Sequence, residues 1–213
     1  TFADVSAPVN PAKREPMSVP DNDKPLVSIA TDKEAANTTL YLFYKHDILS
    51  PEQKGTIEGF VVNYFQQIAA AVMSERFDDL LHQANPPFIY AEAYDSDNFM
   101  IAKTKGAWTA AALVKEGEID AAMHTLVTET QRVKQFGFTL SEYERARINV
   151  LKQYESAFNE RENQKNSSYV SEYVSHFTEG GYIPGIEMEY ALVNQVAEQI
   201  TVEQVNQYVQ QVI

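Results

Sequence analysis

A long helical stretch, residues 51–83, ends before a double proline and is followed directly by a strand-like segment. No other feature narrows the possible folds as much. Apolar residues at Ile57, Phe60, Val61, Tyr64, Phe65, Ile68, Val72, Phe77, Leu80 and Leu81 recur at three- and four-residue steps, the spacing of one helix face. The stretch LSPEQ opens the region: Ser50 suits an N-cap, Pro51 the first helical position and Gln53 a capping box. Pro86 and Pro87 cannot continue a helix, which predicts an end near Gln83. Residues 88–96, FIYAEAYDS, then read as a strand. An amphipathic helix handed directly to a strand requires a sheet to cover its apolar face.

Four further segments have strand chemistry: LVSIAT (26–31), TTLYLFYKH (38–46), FMIAKTKG (99–106) and WTAAALVKE (108–116). Asp95, Ser96 and Asp97 supply turn residues after the 88–96 strand. A second helix is predicted over Ile119–Phe136, stopped by Gly137. TLSE (139–142) is another capping box, opening a helical stretch that reaches toward His176. Its middle, residues 159–168, has no apolar stripe, so a kink or solvated segment is expected there. Two shorter helices follow, at about 185–198 and from Thr201 onward. Consecutive strands with short turns make antiparallel sheet, and the helices need one face of it. The expected fold is an α+β two-layer sandwich, a mainly antiparallel sheet with helices packed on one face.

Residues 6–25 contain five prolines among polar residues, the composition of an extended linker. The expected organisation is therefore a proline-rich interdomain linker over 1–25 and one α+β domain over 26–213. Lys and Arg number 17 against 30 Asp and Glu, a formal charge of −13, with no basic stripe. Such a surface repels phosphate backbones, so nucleic acid is not an expected partner. No apolar run nears the ~20 residues that span a bilayer. The opening TFADVSAP has neither a basic start nor an apolar stretch, and reads as mid-protein rather than as a signal peptide. With no cysteine, disulfides, thiolate zinc sites and cysteine nucleophiles are excluded.

The four histidines, His46, His82, His124 and His176, are each more than 30 residues from the next, so no helical metal-binding pair exists. Each reads better as a solvated or paired structural residue. No GxSxG or phosphate-loop pattern occurs, and the glycines of EGGYIPG act as helix stops. The acids of EGEID and EGGYIPGIEMEY read as solvated faces. Tyr154, Phe158, Tyr169, Tyr173 and Phe177 read as core and helix-packing residues. The residues alone point to no active site.

Taken together, PLVSIATDKEAANTTLYLFYKHD, SERFDDLLHQANPPFIYAEAY and the run GFTLSEYERAR, NERE, EYVSHFTEGGYIPGIEMEY, ITVEQVN resemble the pitrilysin/insulinase family of zinc peptidases, the inverted-motif zincins. The resemblance covers Pro25 to Ile213 and is most specific from Gly137 to Val205. It implies a chain of similar α+β domains closing around a peptide chamber, with zinc held by HxxEH on a helix of the first domain. Here the corresponding helix carries GFVVNYFQQ (59–67), without His or Glu, so zinc would be bound outside this chain. The resemblance implies the second, non-catalytic domain of the N-terminal half. Its partners would be an upstream catalytic domain, a downstream half of the same polypeptide and a peptide substrate; a periplasmic or exported location is plausible by resemblance. Relatives that keep the fold as scaffold subunits are the alternative. A later domain of such peptidases carries an arginine and a tyrosine that hold the substrate carbonyl. His82 falls near the first and Tyr90 near the second, as substrate-wall residues, but histidine is a poor substitute for a forked, permanent cation. No catalytic or metal residue is expected in the chain itself. Such a domain also implies a closing strand after the last helix; without it, five strands and one exposed edge are expected.

Overall fold

The computed structural model describes residues 6, 9–11, 15–179, 181 and 183–213. Its sheet is built from β1 (Thr38–His46), β2 (Phe88–Ser96) and β3 (Gly106–Val114) in the order β1-β3-β2, antiparallel throughout. β3, GAWTAAALV, is buried except at Leu113 and holds the centre. Its small residues let both neighbours and a covering helix approach closely. β1 pairs from Thr38↔Val114 to His46↔Gly106, and β2 from Tyr90↔Leu113 to Ser96↔Ala107 after an irregularity at Phe88/Tyr90.

Alternation decides what each face carries. Leu40, Leu42 and Tyr44 of β1, Trp108, Ala110 and Ala112 of β3, and Phe88, Ala91 and Ala93 of β2 point into the core. The long helix α2 (Ile57–Leu81) lays Tyr64, Ile68, Ala69, Val72, Met73 and Phe77 against them. Each fully buried side chain of Ile or Phe size contributes roughly 1.5–3 kcal/mol, so this one contact dominates the stability of the sandwich. A single turn, α1 (Pro51–Lys54), shows the predicted capping box between Ser50 and Gln53, but the helix expected over 51–83 is interrupted at Gly55 and Thr56 before α2 begins. Helix α3 (Ile119–Phe136) packs on β3 and β1, and α4 (Leu140–Asn159) on α2. α5 (Asn166–Glu179), α6 (Ile186–Gln199) and α7 (Val202–Val212) follow, α6 against α4 and α7 between α2 and α3.

The turn between α3 and α4 locks the helical layer. Gly137 has φ +69°, and a Cβ there would lie 2.4 Å from the Asn206 side chain. Asn206 Oδ1 accepts from the Phe138 amide at 2.7 Å, and its Nδ2 donates to the Phe138 carbonyl at 3.0 Å. Thr139 caps α4 in a box with Glu142. Arg76 of α2 donates from Nε to Glu142 Oε1 at 2.6 Å and from a terminal nitrogen to Oε2 at 3.0 Å. Farther along, the Tyr143 hydroxyl donates to the Ile200 carbonyl, and Arg147 Nε to the Ala197 carbonyl. GFTLSEYERAR and ITVEQVN, far apart in sequence, are thus two halves of one polar clamp.

Three expectations are corrected. The sheet has three strands among the described residues, not five. LVSIAT has no regular secondary structure and pairs with no strand, and Leu26, Val27 and Ile29 are more than three-quarters exposed: strand chemistry without an edge to pair with does not make a strand. FMIAKTKG is instead the loop joining β2 to β3, closed by Phe99 N–H to Lys105 O at 2.7 Å and Ala102 N–H to Phe99 O at 2.9 Å, with Met100 at φ 54°. With β3 central, both β1 and β2 are outer strands, so the sheet has two open edges rather than one. The helical stretch breaks where its stripe lapses: α4 ends at Asn159 and a 3₁₀ turn, Arg161–Asn163, precedes α5. Within α5, Val170, Tyr173, Val174 and Phe177 form an exposed stripe, so Tyr173 and Phe177 are not core residues.

Candidate functional site

Asp95 follows Ala91 and Ala93 at an inward-facing position of β2, and its side chain has no solvent exposure. A carboxylate placed there must be met by donors, because an unpaired buried charge is prohibitively costly. His46, the last inward residue of β1, meets it, although β3 lies between the two strands. The imidazole reaches over Gly106, where a Cβ would stand 2.5 Å from His46 Cε1 and 2.7 Å from the Ser96 carbonyl. A bare Cα on the central strand is what opens the path.

Nε2 of His46 lies 2.6 Å from Asp95 Oδ1, and Nδ1 lies 2.8 Å from the Asp47 carbonyl oxygen. Gln66 of α2 donates from Nε2 to Asp95 Oδ2 and to Asp97 Oδ1, each at 3.1 Å. The Tyr208 hydroxyl of α7 donates to Asp95 Oδ2. Lys54 of α1 closes the chain of contacts on Asp97 Oδ2 at 2.8 Å. Burial resists charge on Asp95, but His46, Tyr208 and Gln66 outweigh it and hold the carboxyl below the usual range. Burial likewise opposes a charged His46, yet Asp95 and the Asp47 carbonyl raise its proton affinity. Burial and the adjacent carboxylate push the Tyr208 phenol up, which keeps it a donor.

The outer members of this network, Gln66, Asp97 and Lys54, line a cleft of about 770 Å³ together with Leu49, Phe60 and Asn63 and with Met188, Glu189 and Leu192 of α6. Burial and the nearby Glu172 raise the Glu189 carboxyl. The charged residues of the cleft are Glu189 and the paired Lys54 and Asp97, with apolar side chains such as Leu49, Phe60, Met188 and Leu192 between them.

The chemistry available is narrow. Asp95 already accepts from three donors and both nitrogens of His46 are engaged, so the pair is committed to internal contacts. Among the described residues no group of three or more His, Asp or Glu could hold a metal ion. α2 contains no histidine anywhere along its length.

The two residues singled out from sequence lie elsewhere. His82 is the C-cap of α2, exposed, with Nδ1 donating to the Asp78 carbonyl at 2.7 Å. Tyr90 is 52% exposed on an outer strand and donates to Glu92 Oε2 at 2.8 Å. With Glu92 and Tyr94 it borders a smaller cleft of about 380 Å³ against Ala70, Ala71 and Ser74 of α2. No hydrogen bond joins His82 to Tyr90 among the described residues. His124 and His176 are exposed on α3 and α5. Asp95 and Ser96, expected from sequence as turn residues, lie inside β2, and Asp95 is in phase with the inward Ala91 and Ala93; no local pattern marks Gln66 or Tyr208 as its partners.

No family model matches the sequence, and a comparison with curated proteins finds no match. Solved structures do match. The first half of the periplasmic protease PqqL from Escherichia coli superposes with a TM-score of 0.73 at 16% identity, over 85% of this chain and 38% of that one. An insulinase-family protease from Yersinia pestis gives 0.69 at 12% identity, over 84% of this chain and 37% of its own. The inactive peptidase domain of a zinc protease candidate from Bordetella parapertussis gives 0.53 at 16% identity, over 83% of this chain and 85% of its own. The chain spans less than two-fifths of the PqqL half and 19% of the whole PqqL chain. The fold is that of a pitrilysin/insulinase-type peptidase domain.

Proposed function

We propose that this chain is a non-catalytic domain of a zinc metalloendopeptidase, walling part of a substrate chamber and supporting a catalytic domain that lies outside residues 1–213. The observation that carries the reading is a peptidase-domain fold whose sheet-covering helix, α2, has no histidine, with His46 fully engaged beside it. Zinc and the water it activates belong to the catalytic domain in this reading. Residues 1–25 act as the linker and 26–213 as the domain. Tyr90 and His82 contribute wall contacts to an extended peptide, and the cleft takes apolar side chains. The exposed stripe of α5 and the apolar residues Leu26, Val27 and Ile29 supply surface for the neighbouring domains of the same polypeptide to cover. The periplasmic location of PqqL supports an exported parent.

A scaffold role is the second reading, favoured by the likeness to a peptidase domain described as inactive. Two measurements separate the possibilities. The isolated chain, supplied with zinc and a mixed peptide library, is expected to cleave nothing and to retain no stoichiometric metal after dialysis. Cleavage at the rate of a complete peptidase would sink the proposal. HxxEH in the sequence preceding Thr1 favours the peptidase parent, and its absence favours the scaffold.

A further inference from the structure

We propose that His46 is held as a doubly protonated imidazolium and serves as a pH-sensitive latch: when it loses a proton, the turn joining β1 to α1 is released from the end of the sheet. The geometry dictates this. Both ring nitrogens face acceptors only, Nδ1 the Asp47 carbonyl at 2.8 Å and Nε2 the Asp95 carboxylate at 2.6 Å. A neutral imidazole has one N–H and one lone pair, so it can satisfy one of these partners and must repel the other. With His46, Gln66 and Tyr208 all donating to it, Asp95 is held as the carboxylate, so the proton between it and the ring belongs to the imidazole.

The groups around the ring all favour the cation. Asp95 faces it from β2, Asp97 from the turn after β2, and Asp47 from the next residue of the chain. The cations nearby are already spent, Lys54 on Asp97 and Lys105 on Asp47 and Asp21. Tyr208 from α7 and Gln66 from α2 are neutral donors to Asp95 and leave its charge in place.

Deprotonation chooses its casualty by strength. The bond to the carboxylate is charge-assisted and stronger than the bond to a carbonyl, so the surviving N–H stays on Nε2. The Nδ1 lone pair then faces the Asp47 carbonyl and drives it away. Asp47 to Ser50 form the connection from β1 to α1, and Leu49 is part of the cleft wall. Cleft shape and the protonation of His46 are therefore linked, whatever the cleft binds. The sign follows: a histidine whose proton affinity is raised by folding stabilises the closed turn below its ordinary value near 6.5 and loses that effect as pH rises through the higher folded value.

The test is a side-chain ¹⁵N NMR titration of His46 in the intact chain, with amide hydrogen exchange over residues 47–50. Both nitrogens should carry protons at pH 6, with a midpoint above the ordinary 6.5. Protection at 47–50 should fall about tenfold on crossing that midpoint, the equivalent of a hydrogen bond from a charged donor, while α7 keeps its protection. A His46 with one protonated nitrogen at pH 6, or a turn whose protection ignores pH, overturns the proposal. Asp95→Asn should move the midpoint down, and His46→Gln should flatten the pH response of the turn. If neither variant folds, the titration of the unmodified chain decides alone.

Discussion

Two buried ion pairs bracket α2, and they are built for opposite purposes. Near its C-terminal end Arg76 forks onto Glu142, also donates to the Gly137 carbonyl at 3.2 Å, and lies 5.3 Å from the Phe138 ring centre. In its N-terminal half Gln66 joins the His46–Asp95 pair. A guanidinium keeps its charge at any working pH, so the first pair is a permanent fastener of the α3–α4 turn. An imidazole does not, so the second pair holds only over a window. One helix thus carries a fixed clamp at one end and a titratable one toward the other.

The largest effect that can break this contrast is Arg76→Met. The half-buried Glu142 would lose both guanidinium bonds and the buried Glu129, 3.9 Å from Arg76, its nearby cation, and removal of one partner of a buried pair costs about 3–5 kcal/mol. Urea unfolding should report that loss, and Arg76→Met combined with Glu142→Gln should recover part of it. A single-variant loss below about 1 kcal/mol would mean that the clamp is ornamental.

The two glycines come next, because each serves one of the pairs. Gly137→Ala forces a side chain into φ +69°, ψ −157° and against Asn206, a strain of about 1–3 kcal/mol. Gly106→Ala puts a methyl 2.5 Å from the imidazole, an overpacking cost of roughly 1–3 kcal/mol. The two should differ in kind. Loss of stability in Gly137→Ala should be the same at pH 6 and pH 9, whereas that in Gly106→Ala should be larger at pH 6, where the displaced bond is charged. Equal pH profiles would erase the distinction.

Much of this frame is legible in the sequence, and the reason differs between its parts. The bounds of β1, β2 and α3, both capping boxes and the break after Asn159 follow from local chemistry: alternation, caps and the lapse of an apolar stripe. LVSIAT and FMIAKTKG fail because local chemistry permits a strand but only a partner creates one. The exposed stripe of α5 fails likewise, since helical spacing shows that Val170, Tyr173, Val174 and Phe177 share a face but not that the face is covered. Neither polar clamp could be read, because Asn206 meets Phe138 and Tyr208 meets Asp95 across separations that no local pattern records. Of the candidate wall residues, His82 closes a helix, as its position before Pro86 suggested.

A smaller effect sharpens the acid side. Burial favours a neutral Glu142, but Arg76 and the Thr139 amide and hydroxyl prevail and hold its carboxyl at about 2. A depressed carboxyl stabilises the fold above its ordinary value near 4.5 and ceases to do so as pH falls toward 2. Thermal unfolding between pH 5 and pH 2 should therefore show a decline that Glu142→Gln makes shallower. An unchanged slope would mean that Glu142 does not govern the acid limb.

The smallest effect is expected at the pair that looks most like the clamp on paper. Arg145 Nε donates to Glu75 Oε2 at 2.9 Å, linking α4 to α2 much as Arg76 does from the other direction. The Arg145 side chain is 55% exposed, against 9% for Arg76, and that difference decides the outcome. Water already solvates both groups, salt screens them, and fixing two long side chains offsets the attraction. Arg145→Ala should leave the unfolding midpoint within error of the unmodified chain at physiological salt. A shift comparable to that of Arg76→Met would show that position along α2, rather than exclusion of water, sets the strength of these pairs.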